Sequence, residues 1–453
     1  MSKSRSSKYK LSKAAWNVYN SFRIGRSYQS LLLHESNFFN SQRPEIRHHQ
    51  VDSLRSLIFY AEQSTPYYTD LINGISLDNL YETIHDENID LSFIPILEKH
   101  HIRSHLDTLC STRYKPRDRI KNSTSGSTGT PLNFYQSRHY WNCRNLSVYY
   151  FDRWAGWDFG DPQLIIWGSL AEIDSGKILK EKINRFWRNQ YWLNGYELTE
   201  LQMKITFEKM QKVKPTTILS YPSSLYQFSK YLSEKNLIPD WNIQGIISSA
   251  EMLHPHYRTL AESVFNTKVY NRYGGREVGL IAMECPEGRM HINCRDLYLE
   301  IDSTDPYNQP GDILITQFNN YIMPFIRYRI GDIGRISDEM CPCGNELPIL
   351  AELLGRSTAT FKTKDGKLIH GGYFTQQFYK LKGVTQFQLI QETLDQCSIN
   401  LVINDEWNED EKTFVESVVK DCLGLGVSLS MNYVDDIPLP RSGKREFTIS
   451  KVT

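Results

Sequence analysis

Ile243-Gln-Gly-Ile-Ile-Ser-Ser249 is a short apolar run that closes on small polar residues, then passes through Ala250-Glu251 into a helical pattern near His254 to Val264. Continuous apolar character over so few residues, rather than alternation, marks a strand buried on both faces. Gln163-Leu-Ile-Ile-Trp167, followed by Gly168-Ser169, has the same texture. So does Thr217-Ile-Leu-Ser-Tyr221, after which Pro222-Ser-Ser224 is placed to cap a helix from Leu225 to Leu232. Lys268-Val-Tyr270 reads as a fourth short strand, running out into Asn271-Arg-Tyr-Gly-Gly275. Strands that alternate with helices and end in small or polar loops predict an α/β sheet with its ligand at the strand carboxyl ends.

Upstream of this core the pattern is helical. Leu54, Leu57, Ile58 and Ala61 share a helix face that stops at Thr65-Pro66, because the residue before proline disfavours the α conformation. Tyr67 and Tyr68 lead into a second short helix, Ile94-Pro-Ile-Leu-Glu-Lys99 is a turn feeding a third, and Tyr140 to Trp154 is aromatic and helical. Downstream, Leu297–Ile301, Asp312–Thr316 and Phe325–Arg329 read as strands, followed by a linker-like Leu347-Pro348. Beyond Gly355-Arg356 a smaller unit runs strand (386–390), strand (399–403), helix (411–422), strand (427–433) and ends in Pro438-Leu-Pro-Arg-Ser-Gly-Lys444. The expected architecture is therefore α/β. It has a basic arm and helix over 1–50, a large multi-subdomain N-terminal domain with mixed sheets over 51–354, including a β-rich subdomain at about 290–350, and a small α+β C-terminal domain over 355–453.

Composition narrows the class. The chain has 453 residues and equal numbers of acidic and basic side chains, 52 of each, so no global field draws it to nucleic acid or an anionic membrane. Lys3, Arg5, Lys8, Lys10, Lys13, Arg23 and Arg26 form a local basic arm without a following apolar core, which argues against a secretory signal. That arm reads as a solvated face or as a weak contact with a membrane or partner. The eight cysteines are too few for a disulfide scaffold and predict a reduced, cytoplasmic setting.

The chemistry concentrates in Asn122-Ser-Thr-Ser-Gly-Ser-Thr-Gly-Thr-Pro131. Hydroxyls crowd a loop whose Gly126 and Gly129 let backbone N–H groups converge on an anion. It lacks the Gly-Lys-Ser/Thr ending of a Walker A loop, and a surface turn is the plainer reading of such a cluster taken alone. Tyr273-Gly-Gly-Arg-Glu277 adds a carboxylate beyond a tight glycine turn, where Mg²⁺ bridging phosphates is coordinated well. Asp332 in Arg327-Tyr-Arg-Ile-Gly-Asp332 is placed to accept from ribose hydroxyls, and Lys444 offers a cation for a reacting phosphate.

Thr124-Ser-Gly-Ser-Thr-Gly-Thr-Pro131, Tyr273-Gly-Gly-Arg-Glu277, Tyr328-Arg-Ile-Gly-Asp332, Gly355-Arg356 and Pro440-Arg-Ser-Gly-Lys444 occur in the order seen in the adenylate-forming (acyl-CoA synthetase and adenylation-domain) superfamily, which the chain resembles from about residue 50 to its end. Thr65-Pro-Tyr-Tyr68, Ile94–Lys99, Ser220-Tyr-Pro-Ser-Ser224 and Cys341-Pro-Cys-Gly344 are similar to the phenylacetate–CoA ligase branch and its capsular polysaccharide relatives. The resemblance implies ATP-dependent activation of a carboxylic acid as its adenylate, then transfer to a CoA thiol or to an amine or hydroxyl of a glycan. By it, Ser125, Gly126, Ser127, Thr128 and Gly129 hold the phosphates and Glu277 holds Mg²⁺; Ser249, Ala250, Glu251, Tyr273 and Gly274 lie along the adenine; Asp332 takes the ribose. Arg356 sits near the hinge of a mobile C-terminal domain, and Lys444, Glu277 and Thr128 are the catalytic set. Ser357-Thr-Ala359 departs from the family's acidic pair after the hinge Gly-Arg, and Thr363–Ile369 replaces the short glycine turn of CoA-using members, which weakens CoA as the acceptor. The rival expectation is a non-catalytic adenylate-binding or scaffold protein that has kept the fold, although such a protein is expected to lose Lys444 or Glu277.

Cys285-Pro-Glu-Gly-Arg-Met-His291 and Cys341-Pro-Cys343 each put two soft ligands on a turn, together a Cys₃His set for structural zinc, as in relatives with a similar cysteine set. Cys294 is a substitute ligand or part of the next strand, and Cys110, Cys143, Cys397 and Cys422 read as core. His48-His49 and His100-His101 read as exposed helix ends without acidic partners. Arg258, Arg272 and Arg276 lack the aromatic interleaving of a nucleic-acid surface.

Overall fold

A computed structural model describes residues 36–72, 76–124, 132–167, 188–195, 198–356, 360–366, 368–378, 380–438 and 447–452, with Ala14, Arg185 and Phe186. Ser125, Gly126, Ser127, Thr128, Gly129, Lys444 and the basic residues before Ser36 lie outside the described residues.

Helix α1 (Arg43–Ser64) carries Pro44 in its first turn and ends at Thr65, and α2 (Pro66–Leu71) begins at the next proline. Strands β1 (Ile120–Ser123) and β2 (Asn133–Gln136) pair antiparallel as the two legs of the hydroxyl loop. Helix α3 (Arg138–Asp152) follows, with the Ser137 hydroxyl accepting from Tyr140 N as its cap. Next come β3 (Gln163–Trp167), β4 (Gln190–Asn194), α4 (Glu200–Val213), β5 (Thr217–Ser220), α5 (Pro222–Glu234), β6 (Gly245–Ser249), α6 (Pro255–Phe265) and β7 (Val269–Gly275). Antiparallel strands succeed them: β8 (Gly279–Glu284), β9 (Met290–Ile292), β10 (Leu297–Asp302), β11 (Gly311–Gln317), β12 (Tyr328–Ser337) and β13 (Ile349–Arg356).

Among the described residues these strands form one eleven-stranded sheet in the order β10-β11-β12-β13-β9-β8-β7-β6-β5-β3-β4. From β4 to β7 neighbours run parallel, and from β7 to β10 they run antiparallel. Strand β7 is therefore the seam where the α/β half meets the β-rich half. One face packs Leu164, Ile218, Ile246 and Val269 against Phe207, Leu225, Phe228 and Ala261 of α4, α5 and α6. The other packs Ile247, Tyr270 and Ile281 against Leu54, Leu57, Tyr150 and Phe151 of α1 and α3. Burial on both faces accounts for the unbroken apolar runs in β3, β5 and β6.

The C-terminal residues form a hairpin of β14 (Thr360–Lys362) and β15 (Leu368–His370), then α7 (Gly372–Phe378), β16 (Val384–Thr393), β17 (Gln396–Ile403), α8 (Glu409–Leu423), β18 (Ser428–Tyr433) and β19 (Thr448–Ser450). The sheet order is β18-β17-β16-β19, and Phe374, Phe387, Leu389, Ile399, Val415 and Val419 make a core of their own.

Several expectations need correction. The β-rich half is hydrogen-bonded into the α/β sheet, because β8 pairs with β7 across the seam. Leu347-Pro348 is no linker: Leu347 is buried and the Pro348 carbonyl accepts from Ile292 N at 2.9 Å. The third β-rich strand begins at Tyr328 rather than Phe325, after Arg327 takes a positive φ of 51° that breaks extended pairing. Strand β7 runs on to Gly275. Pro222-Ser-Ser224 is the first turn of α5, not its cap, and the Ser224 hydroxyl donates to Gly195 O at 2.9 Å. Cys294 lies in the turn between β9 and β10, buried in the core. His48 sits inside α1 with Asp52 and Asp86 at 3.4 and 3.3 Å, so it does have acidic partners.

Candidate active site

Ser249, Tyr273 and Gly274, three of the residues assigned to a nucleotide, lie at the carboxyl ends of β6 and β7. In the parallel register Ser249 lies beside Arg272, and its hydroxyl donates to Arg272 O at 2.8 Å. Ala250 then takes a positive φ of 75°, a strained state for alanine that turns the chain off the strand end. Glu251 accepts from Ser223 N at 3.1 Å, which ties this turn to the start of α5. Arg272 is itself anchored, through an ion pair of 2.8 Å to Asp152 at the end of α3.

Tyr273 Oη donates to Asp332 Oδ2 at 2.7 Å. That bond joins the adenine and ribose assignments, and Asp332 pairs in register with Arg356 at the end of β13. Glu277 is 7% exposed, and its Oε1 is 3.3 Å from the hydroxyl of the fully buried Tyr328. A Cβ on Gly275 would come within 3.2 Å of Glu277 Oε2, and one on Gly274 would meet Gly279 O at 2.4 Å. Close approach of backbone therefore requires glycine at 274, whereas at 275 a side chain would press on Glu277.

The hydroxyl loop is joined to the same turn through its legs. Thr124 N donates to Leu132 O at 3.0 Å and Leu132 N to Thr124 Oγ1 at 3.1 Å, closing the loop's base. Arg276 Nη1 donates to Ser123 O at 3.4 Å. Gln136 Nε2 donates to Arg276 O at 2.9 Å and Glu277 O at 3.2 Å. The base of the hydroxyl loop is thereby joined to the turn that carries Glu277. Gln136 was missed by the motif reading, although its signal is visible: Leu132, Phe134 and Gln136 alternate inward along β2, so a polar residue stands on an apolar face.

A second centre lies where β8, β9 and the approach to β13 meet. Ligand atoms of Cys285, His291, Cys341 and Cys343 all fall within 4.8 Å of one another, the one such group of three or more among the described residues. Cys285 Sγ and Cys341 Sγ are 3.6 Å apart, and Cys343 Sγ is 3.4 Å from His291 Nε2. Zn–S bonds of about 2.3 Å at a tetrahedral angle place two sulfurs about 3.8 Å apart, so the set fits zinc. His291 Nδ1 lies 3.0 Å from Leu347 O, a contact that fixes the ring to present Nε2 to the ion. Gly288 and Gly344, at φ of 74° and 78°, let each cysteine turn close. Burial pushes the Cys285 thiol up, pushes Cys343 up to about 12 and lowers His291, so without a cation the thiols stay protonated and the imidazole neutral.

The arginines weighed as nucleic-acid contacts have internal partners: Arg258 forms a bidentate pair with Glu284, Arg272 meets Asp152 and Arg276 meets Ser123. No helix among the described residues is long and apolar enough to cross a membrane.

This sheet and its C-terminal unit have the fold of the adenylate-forming enzymes. The chain is similar to proteins of the phenylacetate–CoA ligase and CapK branch of that superfamily. Residues 361–451 match the family described as the CapK C-terminal domain. Protein CapK of Staphylococcus aureus is 23% identical over 403 residues, covering 87% of this chain and 86% of that protein. Phenylacetate-coenzyme A ligase of Thermus thermophilus is 22% identical over 389 residues, covering 80% and 82%. The crystal structure of 2-hydroxyisobutyryl-CoA ligase in the postadenylation state with R3-HIB-AMP shares the fold at a TM-score of 0.67, with 16% identity and 89% of each chain covered.

Proposed function

We propose that this enzyme activates a carboxylic acid with ATP and passes the acyl group to a nucleophile. In the first step a carboxylate oxygen attacks the α-phosphorus and pyrophosphate leaves with the electron pair of the broken P–O bond. In the second, the acceptor attacks the acyl carbon of the adenylate and AMP departs. The observation that carries the reading is the Tyr273–Asp332 hydrogen bond beside the buried Glu277–Tyr328 pair. Ser249, Ala250, Glu251, Tyr273 and Gly274 are assigned to the base, Asp332 to the ribose, and Ser125, Gly126, Ser127, Thr128 and Gly129 to the β and γ phosphates. Glu277 would hold Mg²⁺, which offsets phosphate charge during transfer. Lys444 is assigned to the α-phosphate and the incoming carboxylate, and Arg356 to the hinge. A boundary near 354/355 is favoured by the separate core beyond residue 360. The Cys₃His set is assigned structural zinc, and eight cysteines outside any disulfide suit a reducing cytoplasm.

A CoA thiol is the favoured acceptor, because one relative and the structural neighbour are named as CoA ligases. The amine or hydroxyl of a glycan is the alternative that product analysis separates. Exchange of labelled pyrophosphate into ATP, screened over small aromatic, hydroxy and amino acids, tests activation directly. Lys444→Ala is expected to lose about a hundredfold or more of that exchange. If no acid supports exchange, or if the Lys444→Ala chain exchanges as fast as the parent, the proposal fails. Thioester formation in the presence of CoA then decides the acceptor.

A further inference from the structure

We infer that Gln136 is a positioning residue that ties both strands of the β1–β2 hairpin to the backbone of Glu277 and so sets where the carboxylate assigned to Mg²⁺ stands. The inference rests on the nucleotide site proposed above. Gln136 is 0% exposed and terminates β2, the strand that leaves the loop. Its amide uses both ends. Nε2 donates to Arg276 O at 2.9 Å and to Glu277 O at 3.2 Å, while Oε1 accepts from Asn122 Nδ2 at 3.0 Å on β1, the strand that enters the loop. One side chain therefore joins both legs of the loop to the backbone of Glu277 itself.

The bonds are of the kind that cannot be dropped without cost. An apolar side chain of the same volume would leave two buried carbonyls short of a donor, and the turn would relax away from its place. Tyr328 orients the Glu277 side chain from the other direction, at Oε1, so backbone and side chain are held separately. Second-layer partners of a metal ligand commonly govern metal affinity by about ten- to a hundredfold. The effect of Gln136 should accordingly appear in the magnesium-dependent part of ATP binding and not in binding of the base and ribose.

Isothermal titration of the full chain with ATP, once with excess Mg²⁺ and once with EDTA, reads that part as a ratio of dissociation constants. Gln136→Met keeps the volume and Gln136→Glu keeps the acceptor for Asn122; each should cut the ratio about tenfold or more while ATP affinity in EDTA stays within about twofold. Thermal unfolding of both variants reports whether the fold persists, and two unlike substitutions guard against a single misfolded one. An unchanged ratio in either folded variant overturns the coupling, and so does an equal loss with and without Mg²⁺, which would mark a merely structural role. A parent chain that binds no ATP sinks the proposed function itself; one that binds ATP with no gain from Mg²⁺ sinks Glu277 as the metal ligand and this inference with it.

Discussion

Tyr273 and Asp332 meet across the seam of the sheet, the phenol donating to the carboxylate at 2.7 Å from the last turn of a parallel strand to the middle of an antiparallel one. The bond occupies Oδ2 of Asp332 and holds the ring of Tyr273 beside the carboxylate. Tyr273→Phe keeps the ring and removes the donor. A hydrogen bond to a charged group contributes about 1.5–3 kcal/mol to stability, so the unfolding free energy is expected to fall by about that amount and ATP affinity by titration about tenfold. An affinity equal to the parent's would show that the phenol does not organise the site.

The pair between Arg272 and Asp152 is buried, and it ties α3 to β7 directly behind Ser249. Burial raises the Asp152 carboxyl, opposed by Arg272. Removing one partner strands the other charge. Asp152→Ala should lower unfolding free energy by about 3 kcal/mol, whereas the double replacement Asp152→Leu with Arg272→Met should recover most of it. Denaturant titration of the three chains checks this, and a double variant no better than the single one contradicts it.

Zinc is expected at about one equivalent per chain by elemental analysis. Cys341→Ser or Cys343→Ser should abolish it, and chelation should lower the unfolding temperature, because the centre joins the β8–β9 hairpin to the entry of β13. Protein purified with less than half an equivalent, and unaffected by chelator, would rule out a structural ion.

Glu300 pairs with Arg327 at 3.1 Å, yet burial pushes its carboxyl up to about 7, with Arg327 opposing the rise. Below the ordinary glutamate value near 4.5 the group is protonated in folded and unfolded chains alike. Between that value and about 7 the folded chain keeps a proton that the unfolded chain has released, so stability falls as pH rises through this window. Glu300→Gln lacks that slope. The stability of the parent relative to Glu300→Gln should drop by roughly 3 kcal/mol between pH 4.5 and 7.5, at about 1.4 kcal/mol per unit; a constant difference across that range would contradict it.

Local patterns carried much of this molecule. Gln163–Trp167 is β3 to the residue, the break at Thr65-Pro66 separates α1 from α2, and the strand, helix and strand pattern after residue 384 is present. These features depend on neighbours within a few residues: proline geometry, apolar continuity and glycine turns. The motifs around Glu277 and Asp332 were legible through the family resemblance, and folding gives each carboxylate a tyrosine partner, Tyr328 for Glu277 and Tyr273 for Asp332.

Tertiary structure alone decided the rest. That β7 joins two halves into one sheet, that Leu347-Pro348 is buried against β9, and that His48 faces Asp86 all depend on pairings between distant segments. Sequence placed four ligands on two turns; only folding brought Cys285 to 3.6 Å from Cys341. It also listed a glutamine with no evident task, and only folding set that amide under Arg276 and Glu277. A residue's local conformation is set by its own sterics and those of its neighbours, whereas the identity of a buried polar group's partner is set by which backbone groups the finished core leaves to be satisfied.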